Sequence, residues 1–163
     1  VVLSAQADTH IAAMDMIGPE RQGVVRELFR NLVTAHGTRA AIDREELLSA
    51  FADRPAAEEA LRQLVDARLL TTYEVGGEEG EAGRHRVEVV HESLIMAWPR
   101  LVRWRAQDEE GAVLRDQLKQ AAHLWEEKGR TGDLLWTGTA FREFELWRER
   151  YTGKLTAVET DFA

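Results

Sequence analysis

The chain has no cysteine at all, which excludes a disulfide framework and any thiolate metal site and fits a reducing cytosol. Lysine is nearly as scarce, with 3 Lys against 18 Arg, a bias that reads as genome composition and carries no chemistry. No apolar run approaches the roughly eighteen residues needed to span a bilayer, and Val1-Val2-Leu3 is followed at once by polar residues, so no secretory leader is expected. A cytoplasmic protein without membrane association is the expectation. An initiator Met is missing as well, and the opening looks already helical; both suggest a segment cut from a longer protein. What remains is an ordinary globular composition: 163 residues, 44% hydrophobic and 31% charged, enough for one good-sized domain or two small ones.

The charge balance limits the partners. A formal charge of −8 disfavours general nucleic-acid binding, which draws its affinity from Lys and Arg on phosphates. Residues 1–90 alone hold ten Arg and no Lys against sixteen Asp plus Glu. Catalytic signatures are missing too: no Gly-x-x-x-x-Gly-Lys-Ser/Thr phosphate loop, no Gly-x-Gly-x-x-Gly and no Gly-x-Ser-x-Gly elbow. The chain by itself is therefore not expected to be an enzyme.

Periodicity supplies the architecture. Ala5 to Met14 has helical composition, and Gly18-Pro19-Glu20 breaks it and restarts a helix. Val24, Val25, Leu28, Phe29, Leu32 and Val33 form its broad apolar stripe, with Arg26, Glu27 and Arg30 opposite. Thr38 to Ile42 reads as a short strand or extended link. Asp43 is an N-cap for Arg44 to Phe51, with Glu46 placed to close a capping box. A helix over Pro55 to Ala67 follows after only Ala52-Asp53-Arg54, the tight spacing of a helix-turn-helix.

The period then changes. Leu69 to Val75 and Arg86 to Val90 have strand character and flank the glycine-rich, acidic segment Gly76 to Gly83. Helices, a helix-turn-helix and a hairpin, in that order, describe a winged-helix domain. From Glu92 onward the chain is helical again, with Pro99 able to kink or divide the first helix and Gly111 weakening the start of the next. Leu114, Leu118, Ala121 and Trp125 mark one later face; Ala140, Phe141, Phe144, Trp147 and Tyr151 mark another. Gly129 to Gly132 separates them, and Leu155-Thr156 opens a last short helix. The expected fold is mainly α with a small β-hairpin: a winged-helix domain over residues 1–91, its wing at about 76–85, then an all-α helical linker domain over 92–163.

The junction between the halves, Val89-Val90-His91-Glu92-Ser93-Leu94-Ile95-Met96-Ala97-Trp98-Pro99-Arg100-Leu101-Val102-Arg103-Trp104, carries the most chemistry. His91-Glu92 is reminiscent of a His-Glu-x-x-His zinc helix, yet Ile95 stands where the second ligand belongs, so no metal site is expected. His10, His36, His85 and His123 share no ligand spacing and suit structural or solvent roles. Pairs such as Glu45-Glu46, Glu58-Glu59 and Glu126-Glu127 read as solvated helix faces.

The pattern Val-x-Val-x-His-Glu-x-Leu-x-x-x-Trp-Pro-Arg-Leu-x-x-Trp, together with Leu61 and Leu64-Val65-Asp66-Ala67-Arg68-Leu69-Leu70, Ala121-Ala122-x-x-Trp125-Glu126, Leu134-Leu135-x-x-Gly138 and Leu155-Thr156, closely resembles the linker region of bacterial STAND-class signalling NTPases. In these switch proteins a P-loop domain precedes a winged helix, a helical segment and commonly WD-repeat propellers. Two departures stand out: Val89-Val90 where small residues are usual, and Arg105 where an apolar residue is frequent.

The resemblance implies that His91 matches a winged-helix histidine that reaches the β-phosphate of ADP held by the P-loop domain and keeps the protein closed. Such a hydrogen bond contributes about 1.5–3 kcal/mol, which shifts a two-state equilibrium roughly ten- to a hundredfold and suits a latch. A helix starting near Glu92 would add a favourable dipole. Glu92 and Ser93 are then first-turn capping support, and Trp98, Pro99, Leu101 and Trp104 provide core or interdomain packing on one side of a helix. No cofactor is expected on this chain, with ADP or ATP expected in the parent protein. Expected partners are the P-loop and WD-repeat domains of the same chain, with an oligomer possible on activation. Two other readings compete: a DNA-binding winged helix presenting Pro55 to Ala67 to the major groove, where Arg62 is the lone basic residue against Glu58, Glu59 and Asp66, and a purely structural helical spacer.

Overall fold

The computed structural model describes residues 19–76, 83–151 and 153–163. The helix expected over Ala5–Met14 and the tip of the expected wing lie outside the described residues. Helix α1 (Pro19–Leu32) starts on a proline, whose missing N–H costs nothing at a helix start. Val25, Leu28, Phe29 and Leu32 bury one face of it. The opposite charged stripe is not solvated as the spacing suggests, because Glu27 and Asn31 are themselves buried.

Strand β1 (Ile42–Asp43) leads directly into α2 (Arg44–Ser49), whose start is fixed by the Asp43 carboxylate accepting from the amides of Glu45 (3.0 Å) and Glu46 (3.2 Å). The reciprocal half of the expected capping box is absent among the described contacts, since the Glu46 side chain meets His123 instead (2.9 Å). Asp53 caps α3 (Arg54–Asp66) through the Ala56 amide (3.2 Å). Ala57, Ala60, Leu61 and Leu64 form its buried face. Strands β2 (Leu70–Val75) and β3 (Arg84–Val89) pair antiparallel, with Leu70 opposite Val89 and Val75 opposite Arg84. β1 adds to the other side of β3, giving the order β1-β3-β2. Beyond Leu70 the whole of β2 is exposed.

The chain then forms a one-turn helix α4 (Ser93–Ala97) and, after Trp98, the 29-residue helix α5 (Pro99–Glu127). Pro99 makes this division by excluding the preceding residue from helical geometry, and Trp98 is extended (φ −96, ψ 103). Trp98 therefore lies in the break before the helix, where a single helical face had been expected to carry Trp98, Leu101 and Trp104. Gly111 was expected to weaken a helix start, yet it lies in the middle of α5. A Cβ there would stand 2.5 Å from Nε1 of Trp147, so close helix approach accounts for this glycine.

A short 3-10 turn (Gly132–Leu134), α6 (Gly138–Arg150) and α7 (Ala157–Phe162) complete the described structure. Thr156 and Glu159 close a full capping box at the start of α7. On α6 only Phe144 is buried, while Phe141 and Ala140 are exposed, so the expected apolar face is half used.

Two apolar clusters result. The first gathers α1 to α4 with the sheet and runs on through Ile95, Trp98 and Leu101, past the division expected at residue 91. The second gathers Leu118, Ala122 and Trp125 of α5 with Phe144, Leu155 and Phe162. α5 belongs to both. Among the described residues no helix is long and apolar enough to cross a membrane.

Candidate functional site

His91 lies between β3 and α4, and its side chain is exposed, as is that of Glu92. The backbone beneath it is fixed from two sides. The Val90 amide donates to the Leu69 carbonyl (3.1 Å), and the His91 carbonyl accepts from the Leu94 amide (3.1 Å). Arg39 supplies a third support that the sequence did not reveal: its guanidinium donates to the carbonyls of Val89 (3.3 Å) and Val90 (3.1 Å) and pairs with Glu88 (3.0 Å). A cation is thereby held beside the histidine. No local sequence signal marks Arg39, which is fifty residues away along the chain.

Glu92 occupies the N-cap position of α4 but makes no side-chain cap bond, and Ser93 is the first helical residue, half-buried. Glu92 does not act as the capping group expected of it, because it is already in helical geometry (φ −60, ψ −31) and its side chain is exposed. α4 is also only five residues long, so the dipole of a long helix is not available at His91.

Beneath the junction, Trp98 is 1% exposed and meets Phe29 edge-on (5.3 Å, 81°) and Trp104 similarly (5.8 Å, 66°). Leu101 is buried with it, Trp104 is half-buried and Pro99 is exposed. Trp98, Leu101 and Trp104 thus anchor the junction to α1, while Pro99 acts through the backbone.

A second constellation joins α5 to α1 and α2, and its side chains are polar. Asp108 accepts from Arg26 (2.9 Å) and Arg30 (2.9 Å), and Arg30 also pairs with Glu27 (2.7 Å). Burial alone would raise the Asp108 carboxyl, but the Arg30 and Arg26 guanidiniums outweigh it and hold its pKa below the usual value. Two turns further along α5, Arg115 donates to Asn31 Oδ1 (2.7 Å), to the Tyr151 hydroxyl (3.2 Å) and to Glu159. Asp116 accepts from the Ala35 amide (2.9 Å), and Lys119, its pKa depressed by burial, donates to the Asn31 carbonyl (3.3 Å). His123 then meets Glu46. Asp108, Arg115, Lys119 and His123 recur at helical spacing, so one stripe of α5 is a ladder of charge-assisted bonds.

Among the described residues no group of three or more His, Asp or Glu could hold a metal ion. The described side chains thus offer an exposed imidazole at the junction and a polar seam along α5. The unit is mainly helical with a small three-stranded antiparallel sheet and carries its exposed histidine at a strand-to-helix junction. The family model described as Novel STAND NTPase 1 matches residues 2–133, most of the chain, and the chain belongs to that family. No curated protein and no solved structure matches it.

Proposed function

We propose that this chain is the regulatory, interdomain segment of a STAND signalling ATPase, in which a winged helix helps to hold the ADP-bound, closed state of a neighbouring P-loop domain. The observation that carries this reading is the exposed His91 on a backbone held by Arg39, Leu69 and Leu94, in a chain of an NTPase family whose sequence has no phosphate loop of its own. The helix, strand, helix, helix, strand, strand order of α1 to β3 supports a winged helix. An imidazole at this place can donate to a phosphate oxygen presented from outside, while Arg39, paired with Glu88, holds the backbone that carries it. The loss of the expected helix dipole makes the side chains, rather than the backbone, the recognising groups.

On this reading α5, α6 and α7 connect the winged helix to sensor repeats such as a WD propeller, the protein is cytoplasmic, and activation permits assembly. The DNA-binding alternative is disfavoured by α3, where Arg62 is tied to Glu59 (2.6 Å) and Arg54 to Glu58 (2.9 Å). Little free positive charge remains there for phosphates.

The experiment is ADP release from the full-length parent protein carrying His91→Ala. Faster release of a fluorescent ADP and raised basal signalling are expected; an unchanged off-rate overturns the assignment.

A further inference from the structure

The segment that follows α1 is closed on itself. Val33 and Arg39 form an antiparallel bridge, the Thr34 amide donates to the Thr38 carbonyl (2.9 Å), and the Gly37 amide donates to the Thr34 carbonyl (3.0 Å). The Thr34 and Thr38 hydroxyls meet at 2.7 Å, and Gly37 supplies the left-handed residue (φ +78) that lets the turn close. So many internal bonds leave the turn little freedom to change shape, and it shifts as a unit.

Both ends of this unit are held by distant parts of the chain. At one end Asp116 of α5 accepts from the Ala35 amide (2.9 Å). The Arg105 guanidinium of the same helix lies so close to Gly37 that a Cβ there would stand 3.1 Å from Nη2. Arg105 and Asp116 are about three turns apart and therefore share one face of α5. At the other end the Arg39 guanidinium donates to the carbonyls of Val89 (3.3 Å) and Val90 (3.1 Å), just before His91, and pairs with Glu88 (3.0 Å). Each end is a charge-assisted contact, a carboxylate on an amide and a guanidinium on carbonyls. The bonds run without a gap from α5, through the turn, to the backbone of the junction. The contacts of α5 with α1 through Asp108, Arg115 and Lys119 end on helix residues and do not reach the turn.

We propose that Asp116 is a positioning residue for His91, acting through Ala35, the closed turn and Arg39. While Asp116 keeps the turn in place, Arg39 holds the Val89 and Val90 carbonyls and the His91 backbone stays fixed. A shift of α5 carries the turn with it, withdraws the guanidinium and frees the junction. The input this arrangement accepts is a movement of α5, the helix on which the second apolar cluster is built. The functional consequence rests on the reading of His91 as the group that meets a phosphate; the mechanical link does not.

The test is amide hydrogen exchange in the 15N-labelled full chain without nucleotide. Its readouts are the Val90 amide, which donates to the Leu69 carbonyl, and the Leu94 amide, which donates to the His91 carbonyl. The Leu64 amide, inside α3, is the reference. Arg39→Ala is expected to accelerate exchange at Val90 and Leu94 about tenfold relative to Leu64. Asp116→Ala is expected to accelerate the same two amides about threefold and to add nothing in the Arg39→Ala background. Asp116→Asn, which keeps an acceptor for Ala35 but loses the charge, is expected to retain the original rates. The proposal is overturned by unchanged Val90 and Leu94 rates in Asp116→Ala, or by equal acceleration at Leu64, which makes Asp116 a general stabiliser. It is overturned equally by Asp116→Asn matching Asp116→Ala, which assigns the effect to charge, or by additive effects in the double variant. Failure here leaves the ADP-release experiment standing, and unchanged ADP release in His91→Ala leaves this link standing.

Discussion

Arg115 of α5 pairs with Glu159 of α7, with side-chain exposures of 8% and 0%. Burial alone would lower the Arg115 pKa, but the Glu159 charge and the Tyr151 hydroxyl raise it above its ordinary value. The Arg115 guanidinium is therefore held in its charged form in a nearly dry contact. Glu159 also closes the capping box of α7, so one carboxylate sets both the start of the last helix and its attachment to α5.

Removing one member of such a pair strands the other as a buried charge. Arg115→Met is expected to destabilise the chain by about 3–5 kcal/mol, read as a lower urea midpoint. The double substitution Arg115→Met with Glu159→Leu should recover a large part of that loss. Additive losses in the double variant would show that the pair is not coupled.

His123 and Glu46 join α5 to α2, and the hydrogen bond to Glu46 is the main reason that the imidazole pKa is raised above 6.5. A raised folded-state pKa means that the pair's stabilisation is complete below about pH 6.5 and is lost as pH rises through the higher folded value. Thermal melts across pH 5.5 to about 8.5 should thus show a declining contribution that His123→Gln abolishes. An identical pH profile in both proteins would exclude the pair as its source.

Gly111→Ala places a Cβ 2.5 Å from the Trp147 indole, which stacks on Tyr151 at 4.5 Å. Ala favours a helix over Gly by about 1 kcal/mol, whereas overpacking costs about 1–3 kcal/mol. Net destabilisation with loss of near-ultraviolet circular dichroism is expected. A more stable variant with an unchanged aromatic signal would mean that α6 moves away freely.

At the junction, His91→Ala should leave stability within about 0.5 kcal/mol, because the side chain is exposed. Trp98→Ala should cost about 3–5 kcal/mol, since Trp98 is packed between Phe29 and Trp104. Urea unfolding of the two variants distinguishes an exposed recognition residue from an anchor. Comparable losses would contradict that division.

Much of the local structure was legible. Asp43 caps the helix that follows it, the Leu28–Phe29–Leu32 spacing faces the core, and Pro99 divides the helices. These features depend on neighbours within about one helical turn. Other residues were misread for a common reason. Glu46 and His123 looked like a solvated carboxylate and an isolated histidine, and Arg26, Glu27 and Arg30 looked like a charged helix face opposite the core. Their partners lie 77 to 127 positions away in the chain for the contacts Glu46–His123, Arg30–Asp108 and Glu27–Lys154. Helical periodicity places a charge on a face; it does not say what covers that face.

His91 shows the division most clearly. Its place between a strand and a helix, and the absence of a second metal ligand at Ile95, were determined by the sequence alone, because they rest on residue types a few positions apart. The exposure of its ring, the Arg39 guanidinium beneath it and the single short turn that replaces a helix dipole were decided only in the tertiary structure, because each depends on which distant segment packs against the end of β3.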